Sequence, residues 1–336
     1  MNVVSAPHRQ RRSRTPRAFA SLVVLFAFAF AAFMTAQPAL ATMLAPSVNG
    51  VANQGALGTP GNPIKMAYVP SADSQKVLAS GQPLADMLGA QTGLTFSVSV
   101  PTSYAAVIEA MGAENVDVGW LAPFAYVLGH DKFETKVLLA SVRSGSKTYT
   151  AQIITHVDSG IETLADLQGK KFAFVDPASA SGNLYPRALL LKNGIDPATA
   201  FSESIFAGGH DKVVIAVYNK QVDAGSTFGY SAPGSTDARD LVLSTFPDVK
   251  DKVKVIANTD PIPNDTVSVR KGLPDELVTQ IKDGLLAVAQ SPDGKALLKT
   301  LYSIDGLAPA EDADYDTVRA MASSLGLNLE KELAPR

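Results

Sequence analysis

Short apolar runs rich in branched and aromatic residues alternate with stretches whose apolar positions recur three and four apart, and this continues along most of the chain beyond residue 64. The first pattern predicts buried strands and the second predicts helices laid against them. IKMAYVP is followed by a helical pattern over 74–92, LTFSVSV by the helical SYAAVIEAMG, and VDVGWLA by a short helix in PFAYVLGH. KVLLASVR and YTAQIITH then read as consecutive strands. A second series begins near Thr148. KKFAFVD predicts a strand, SGNLYPRALLLKNG a helix closed by Gly194, residues 202–206 a strand, GGHDKVVIAVYNK a helix and VDAGSTF a strand. After KVKVIAN the chain passes TDPIPNDTVSVR and finishes in three helical segments starting near Pro274, Pro292 and Asp312. Such alternation is the mark of α/β architecture, with parallel sheets covered by helices on both faces. The two series look like two similar lobes, although no internal sequence repeat is visible. Open α/β sheets bind ligands outside the carboxyl ends of their strands, which directs attention to the strand-to-helix junctions.

The amino-terminal part stands apart from this pattern. Residues 1–41 carry Arg9, Arg11, Arg12, Arg14 and Arg17 and no acid, and the arginines precede the uncharged run AFASLVVLFAFAFAAFMTA. The run leads into QPALAT, where Ala39 and Ala41 fit the small-x-small rule, so an export signal cut after Ala41 is expected. The alternative is a retained anchor, for which the run is barely long enough. Residues 42–61 are small, uncharged and rich in Gly and Pro, and predict a flexible spacer before a fold that begins near Ile64.

Charge and cysteine content narrow the function classes. Of the 29 basic residues five lie in the leader, which leaves 24 against 32 acidic ones, a formal net charge of −8 for residues 42–336. No basic stripe remains to neutralise phosphates, so a nucleic-acid partner is not expected. The absence of cysteine excludes a disulfide framework, a thiolate metal site and a lipid-modified amino-terminal cysteine. The mature protein is expected to be soluble in the periplasm, without cofactor or metal, and monomeric.

Four junctions share one chemical style, offering hydroxyls or N–H groups just ahead of a helix: VPSADSQ at Ser71 and Ser74, VPTSYAA at Thr102 to Tyr104, DPASASGN at Ser179 to Asn183, and FAGGHDK at Gly208 to Asp211. Each alone reads as a helix cap. Together, converging on one cleft, they would make an anion site out of N–H groups and partial charges. Tyr104 sits in the first turn after a polar loop, where its hydroxyl can donate to an oxyanion, and Trp120, the only tryptophan, lies at the carboxyl end of VDVGW. Catalysis is poorly supported. Ser179, His210 and Asp211 supply the residue types of a triad, but Asp211 adjoins His210 in sequence and is badly placed to orient its ring. No G-x-S-x-G elbow or H-E-x-x-H spacing occurs, and GGHD lacks the G-K-[ST] of a phosphate loop.

Taken in order, TSYAAVIEAM, VDVGWLAPFAYVL, YTAQIITH, DPASASGNLYP, GGHDKVVIAVYNKQVDAG and IPND resemble the phosphonate- and phosphite-binding periplasmic proteins of ABC importers, over residues 64 to about 270 and more loosely beyond. The D-P-x-S-x-S-G-x-x-x-P segment and the following Gly-His-acid run through Asp211 are the most specific parts. The resemblance implies a two-lobed periplasmic binding protein of type II fold with the ligand in the cleft between lobes. Residues 62–148 and 262–336 would form the first lobe and 149–261 the second. It implies that ligand oxygens are held by the Tyr104 hydroxyl, by Ser179 and Ser181 with the N–H groups of Gly182 and Asn183, and by His210, with Tyr149 lining the cleft. The sequence departs from the family in two places. Ala180 stands where members that bind aminoethylphosphonate commonly carry a hydroxyl. Of the two acids with which those members grip the ammonium group, one position falls on or near Tyr230, while the other survives as Asp265. The expected ligand is therefore phosphite, methylphosphonate or a similar anion, delivered to an ABC permease in the membrane. A periplasmic anion sensor or scavenging module fits the same motifs, and an enzyme acting on a phosphonate is a further alternative.

Overall fold

The computed structural model describes residues 55–230 and 235–327, so the predicted export signal and most of the predicted spacer lie outside the described residues. In chain order the first elements are β1 (Ile64–Tyr68), α1 (Ser74–Thr92), β2 (Phe96–Ser99), α2 (Tyr104–Gly112), β3 (Val118–Leu121), α3 (Pro123–Phe133) and β4 (Lys136–Val142). The chain then crosses to a second sheet through β5 (Thr148–His156), β6 (Lys171–Phe174), α4 (Tyr185–Lys192), β7 (Glu203–Phe206), α5 (His210–Tyr218), β8 (Ala224–Gly229), α6 (Val249–Lys252), β9 (Val253–Asn258) and β10 (Ile262–Pro263). It returns as β11 (Thr266–Val269), α7 (Asp275–Gln290), α8 (Pro292–Tyr302), β12 (Gly306–Pro309) and α9 (Asp316–Ser324). The first sheet has the order β12-β4-β11-β3-β1-β2, and the second β10-β5-β8-β6-β7 with β9 also paired to β5. The molecule is thus an α/β protein of two lobes joined by two crossover segments.

The sheets are mixed rather than parallel throughout. Parallel pairing holds for β2-β1-β3 and for β7-β6-β8. The strand that returns from the other lobe runs the opposite way, so β11 is antiparallel to both β3 and β4, and β5 is antiparallel to β8 and β9. A second correction concerns the spacer. Its last residues are ordered: Gly58 accepts from the Thr95 N–H at 2.7 Å, and Leu57 packs against the first lobe's core.

Local chemistry accounts for the junctions. Asp73, not a serine, caps α1, its carboxylate accepting from the Lys76 N–H at 3.0 Å, and the helix ends on Gly93 at φ 72°. Ser103 caps α2 through the Ala106 N–H at 3.1 Å. The paired phrases NVDVG and QVDAG perform one task twice. Asp117 accepts from the Lys65 N–H at 2.9 Å and returns its own N–H to the Lys65 carbonyl at 2.8 Å, while Asp223 does the same with Lys171 at 2.8 and 3.0 Å. Each aspartate thereby pins the start of one parallel strand to its neighbour.

The first lobe's core buries Ile64, Met66, Leu84, Leu88, Val118, Val267, Ile281, Leu285 and Leu298 between its sheet and α1, α7 and α8. Another cluster runs across the floor of the cleft, joining Tyr104, Phe124 and Tyr126 to Tyr149, Ala178, Leu184 and Tyr185, with Tyr315 and Val318 beneath. The lobes therefore share apolar burial at their base and meet through polar groups at the mouth.

Candidate functional site

The cleft closes over a cavity of about 60 Å³. By the space one water needs, that is room for roughly four to six water-sized groups. Its lining includes Ser71, Tyr104, Trp120, Arg143, Tyr149, Ser179, Ser181, His210, Phe228, Tyr230, Asp265 and Tyr302, with Val69, Leu121 and Leu241 as apolar wall.

The serine turn is built by the strand it follows. After β6, Asp176 accepts from the Ala178 N–H at 2.8 Å and bends the chain, and Ser179 then caps a π-helical turn, Ala180–Leu184, that leads into α4. The Ser179 Oγ accepts from the Gly182 N–H at 2.9 Å, which leaves its hydroxyl hydrogen free to donate elsewhere. The Gly182 carbonyl takes hydrogen bonds from the Val175 N–H at 3.0 Å and the Ser226 hydroxyl at 2.8 Å, locking the turn to the second sheet. Ser181 stands by the Tyr149 hydroxyl, whose pKa it lowers against the effect of burial.

Of the residues singled out from sequence, Tyr104, Trp120, Tyr149, Ser179, Ser181, His210, Tyr230 and Asp265 all line the cavity. Gly182, Asn183 and Asp211 do not. The Asn183 amide donates to the Pro177 carbonyl at 2.7 Å and accepts from Arg187 at 2.6 Å, so it braces the turn from behind. Asp211 lies in the first turn of α5 with one carboxylate oxygen buried and unpartnered among the described residues, and burial raises its pKa. Sequence reasoning missed Arg143 and Tyr302 as lining residues. Arg143 stands alone in SVRSG, where a single cation after a strand reads as solvated, and Tyr302 sits in the carboxyl-terminal helices, where the motifs thin out.

The donors are neutral at physiological pH. Burial raises the pKa of Tyr104 and Tyr149 well above the ordinary value and pushes Tyr230 up to about 12, so all three keep their phenolic protons. Burial pushes the His210 imidazole down to about 3. Its Nδ1 lies 2.8 Å from the Thr227 hydroxyl and its ring meets Phe228 edge-on at 5.0 Å. When Thr227 donates to Nδ1, Nε2 carries the proton and becomes a donor. The Trp120 Nε1 is buried without a partner among the described residues, on a ring stacked 5.5 Å from Tyr68.

Among the described lining residues, charge enters through one pair. Arg143 contacts Asp265 at 2.6 Å, the Tyr302 carbonyl at 2.9 Å and the Asn264 side chain at 3.4 Å. Burial lowers the guanidinium's pKa, but Tyr230 and Asp265 together hold it above the ordinary value. Across the mouth, the His210 N–H donates to the Ser71 carbonyl at 2.9 Å and the Tyr104 N–H to the Asp176 carboxylate at 3.4 Å.

Two α/β lobes closed on a small polar cavity by two crossovers define a type II periplasmic binding protein. Residues 66–315 match the family described as ABC transporter, phosphonate, periplasmic substrate-binding protein. The chain is similar to the phosphate-import protein PhnD of Mycolicibacterium smegmatis, 32% identical over 78% of this chain and 86% of that protein. It is also similar to the phosphonates-binding periplasmic protein of Escherichia coli, 26% identical over 81% and 82%. Among solved structures, a binding protein component of an ABC phosphonate transporter from Pseudomonas aeruginosa superposes with a TM-score of 0.70 at 25% identity, covering 77% of this chain and 85% of that one. PhnD1 of Prochlorococcus marinus in complex with methylphosphonate shares the fold, with a TM-score of 0.68 at 17% identity over 78% and 98%. This chain belongs to the family of periplasmic substrate-binding proteins of phosphonate ABC transporters, and is a solute-binding component rather than an enzyme.

Proposed function

We propose that this protein captures a small tetrahedral phosphorus oxyanion, phosphite or methylphosphonate in kind, in the interlobe cavity and delivers it to an ABC permease. One observation carries the reading: uncharged donors from both lobes converge on a cavity whose one lining carboxylate, among the described residues, is already paired with an arginine. Ser71 and Tyr104 come from the first lobe, and Tyr149, Ser179, Ser181 and His210 from the second. A desolvated anion needs several donors at once, and an anion touching both lobes favours the closed state by the contacts that closure adds.

The relatives' names divide between phosphate and phosphonates. The apolar wall of Val69, Leu121 and Leu241 supports the second group, because a fourth phosphate oxygen set against it would face carbon, whereas a hydrogen or methyl substituent loses nothing. The cavity's size supports a ligand of about five or six non-hydrogen atoms, as in methylphosphonate or ethylphosphonate.

A thermal-shift panel tests this with phosphite, hypophosphite, methylphosphonate, aminoethylphosphonate, phosphate and sulfate. A ligand at a hundred times its dissociation constant adds about 2.7 kcal/mol to the native state. The expected result is the largest shift with phosphite or methylphosphonate; a larger shift with phosphate or sulfate, or none with any anion, sinks the proposal.

A further inference from the structure

Arg143 begins the first crossover, directly after β4, and Asp265 ends the second, directly before β11. Their side chains meet at 2.6 Å inside the cavity wall, with Arg143 only 5% exposed and the Asp265 side chain 30% exposed. The guanidinium is held in place by backbone and amide oxygens as well, the Tyr302 carbonyl on Nε and the Asn264 side chain on Nη1. It is therefore a fixed counter-charge and not a mobile arm. Asp265 is the cavity's only carboxylate among the described lining residues, and one of its oxygens is committed to this pair.

Resting on the proposed function, we infer that Arg143 is a specificity-determining residue: by neutralising Asp265 it withdraws the one group that would attract a cationic substituent, so the cavity accepts phosphonates with neutral substituents and rejects those bearing an ammonium group. Without Arg143, the cavity would hold an uncompensated carboxylate, which repels a dianion and attracts an ammonium. With it, an ammonium loses its hydration and finds no free anion in return. Tyr230, which also lines the cavity and is neutral, offers no charge to replace Asp265. Arg143 acts through Asp265 and is a positioning residue in that sense; the same geometry would also suit direct contact between guanidinium and ligand, and the variants below separate the two.

The probe is a pair of ligands of equal size that differ in substituent charge, neutral ethylphosphonate and cationic-tailed aminomethylphosphonate, titrated by calorimetry alongside methylphosphonate. Wild type is expected to bind methylphosphonate, and to prefer ethylphosphonate over aminomethylphosphonate by about tenfold or more. Arg143→Met should weaken ethylphosphonate on the order of a hundredfold and turn the preference toward aminomethylphosphonate. Adding Asp265→Asn to that variant should abolish the gained aminomethylphosphonate binding and recover much of the ethylphosphonate affinity. Asp265→Asn alone, which keeps the guanidinium, should tighten ethylphosphonate about tenfold, and gives a reading even if Arg143→Met does not fold. The inference is overturned if Arg143→Met fails to take up aminomethylphosphonate, if the double variant keeps that gain, or if it remains as weak for ethylphosphonate as the single one, the last meaning that Arg143 grips the anion directly. A wild-type protein that binds no phosphorus oxyanion removes the proposed function instead, and that outcome is distinct from all three.

Discussion

Ser179 and Ser181 stand two residues apart in one turn and carry different loads. Ser179 accepts from the Gly182 N–H and so holds the turn as well as facing the cavity, whereas Ser181 contacts Tyr149. Ser179→Ala should lower stability by about 1 kcal/mol through the lost cap and also weaken ligand binding. Ser181→Ala should weaken binding by about 2 kcal/mol, the worth of a hydrogen bond to a charged group, and leave the denaturant midpoint nearly unchanged. Titration and urea unfolding of both variants check the split. His210 gives a pH signature. Burial pushes its pKa down to about 3, below the unfolded value of about 6.5. Between those values the unfolded chain binds a proton that the folded one refuses, so stability present in full above pH 6.5 is lost as pH falls toward 3. The unfolding free energy of wild type minus that of His210→Gln should rise with pH across this window and level off above it; a flat difference would show that the imidazole is not buried as a neutral ring. The serines and His210 were legible because each sits in a junction motif. Arg143 was not, because its meaning comes from Asn264 and Asp265, more than a hundred residues away.

Among the elements, the paired strand clamps make the sharpest comparison. Asp117 also takes the Arg270 guanidinium at 2.8 Å and is 3% exposed on its side chain, while Asp223 has the strand contact at a half-buried site. Asp117→Ala should therefore cost about 2 kcal/mol, since it leaves a mostly buried cation with only the exposed Glu114 as its ionic partner, and Asp223→Ala only about 1 kcal/mol. Chemical denaturation of the two variants measures the difference directly. The π-helical turn has a single steric cause to test. A Cβ on Gly182 would come within 2.3 Å of the Val175 side chain and 2.9 Å of the Ser179 Oγ, so Gly182→Ala should destabilise by roughly 1–3 kcal/mol and displace the serine from the cavity. The helix that follows was legible in its apolar spacing, and Gly194 correctly marked its end. The π turn was not, because its apolar pattern is that of an ordinary helix and carries no sign of the close packing of Gly182 against Val175. The strand β12 also escaped notice, its sequence GLAP being small and ending in proline.

The whole molecule was legible as α/β from the alternation of patterns, and the mixed direction of its strands was not, since direction depends on where the chain returns and periodicity carries no such information. Closure places Trp120, the sole tryptophan, at 2% exposure in the cavity wall. Saturating ligand should therefore shift its emission to shorter wavelength by favouring the closed lobes, and a ligand that binds without any change in emission would show that Trp120 is equally sheltered in both states. The crossovers have one more consequence. Thr148 and Pro263 pair with each other, so the second lobe enters and leaves its sheet at adjacent points, and it is complete in sequence before β11 exists. In the first sheet β3 and β4 touch only through β11. As the chain emerges, the inserted lobe can mature as a unit while its host waits with a vacant central place. Assembly of the first sheet thus waits on the return of the backbone, and the cleft cannot form before that return.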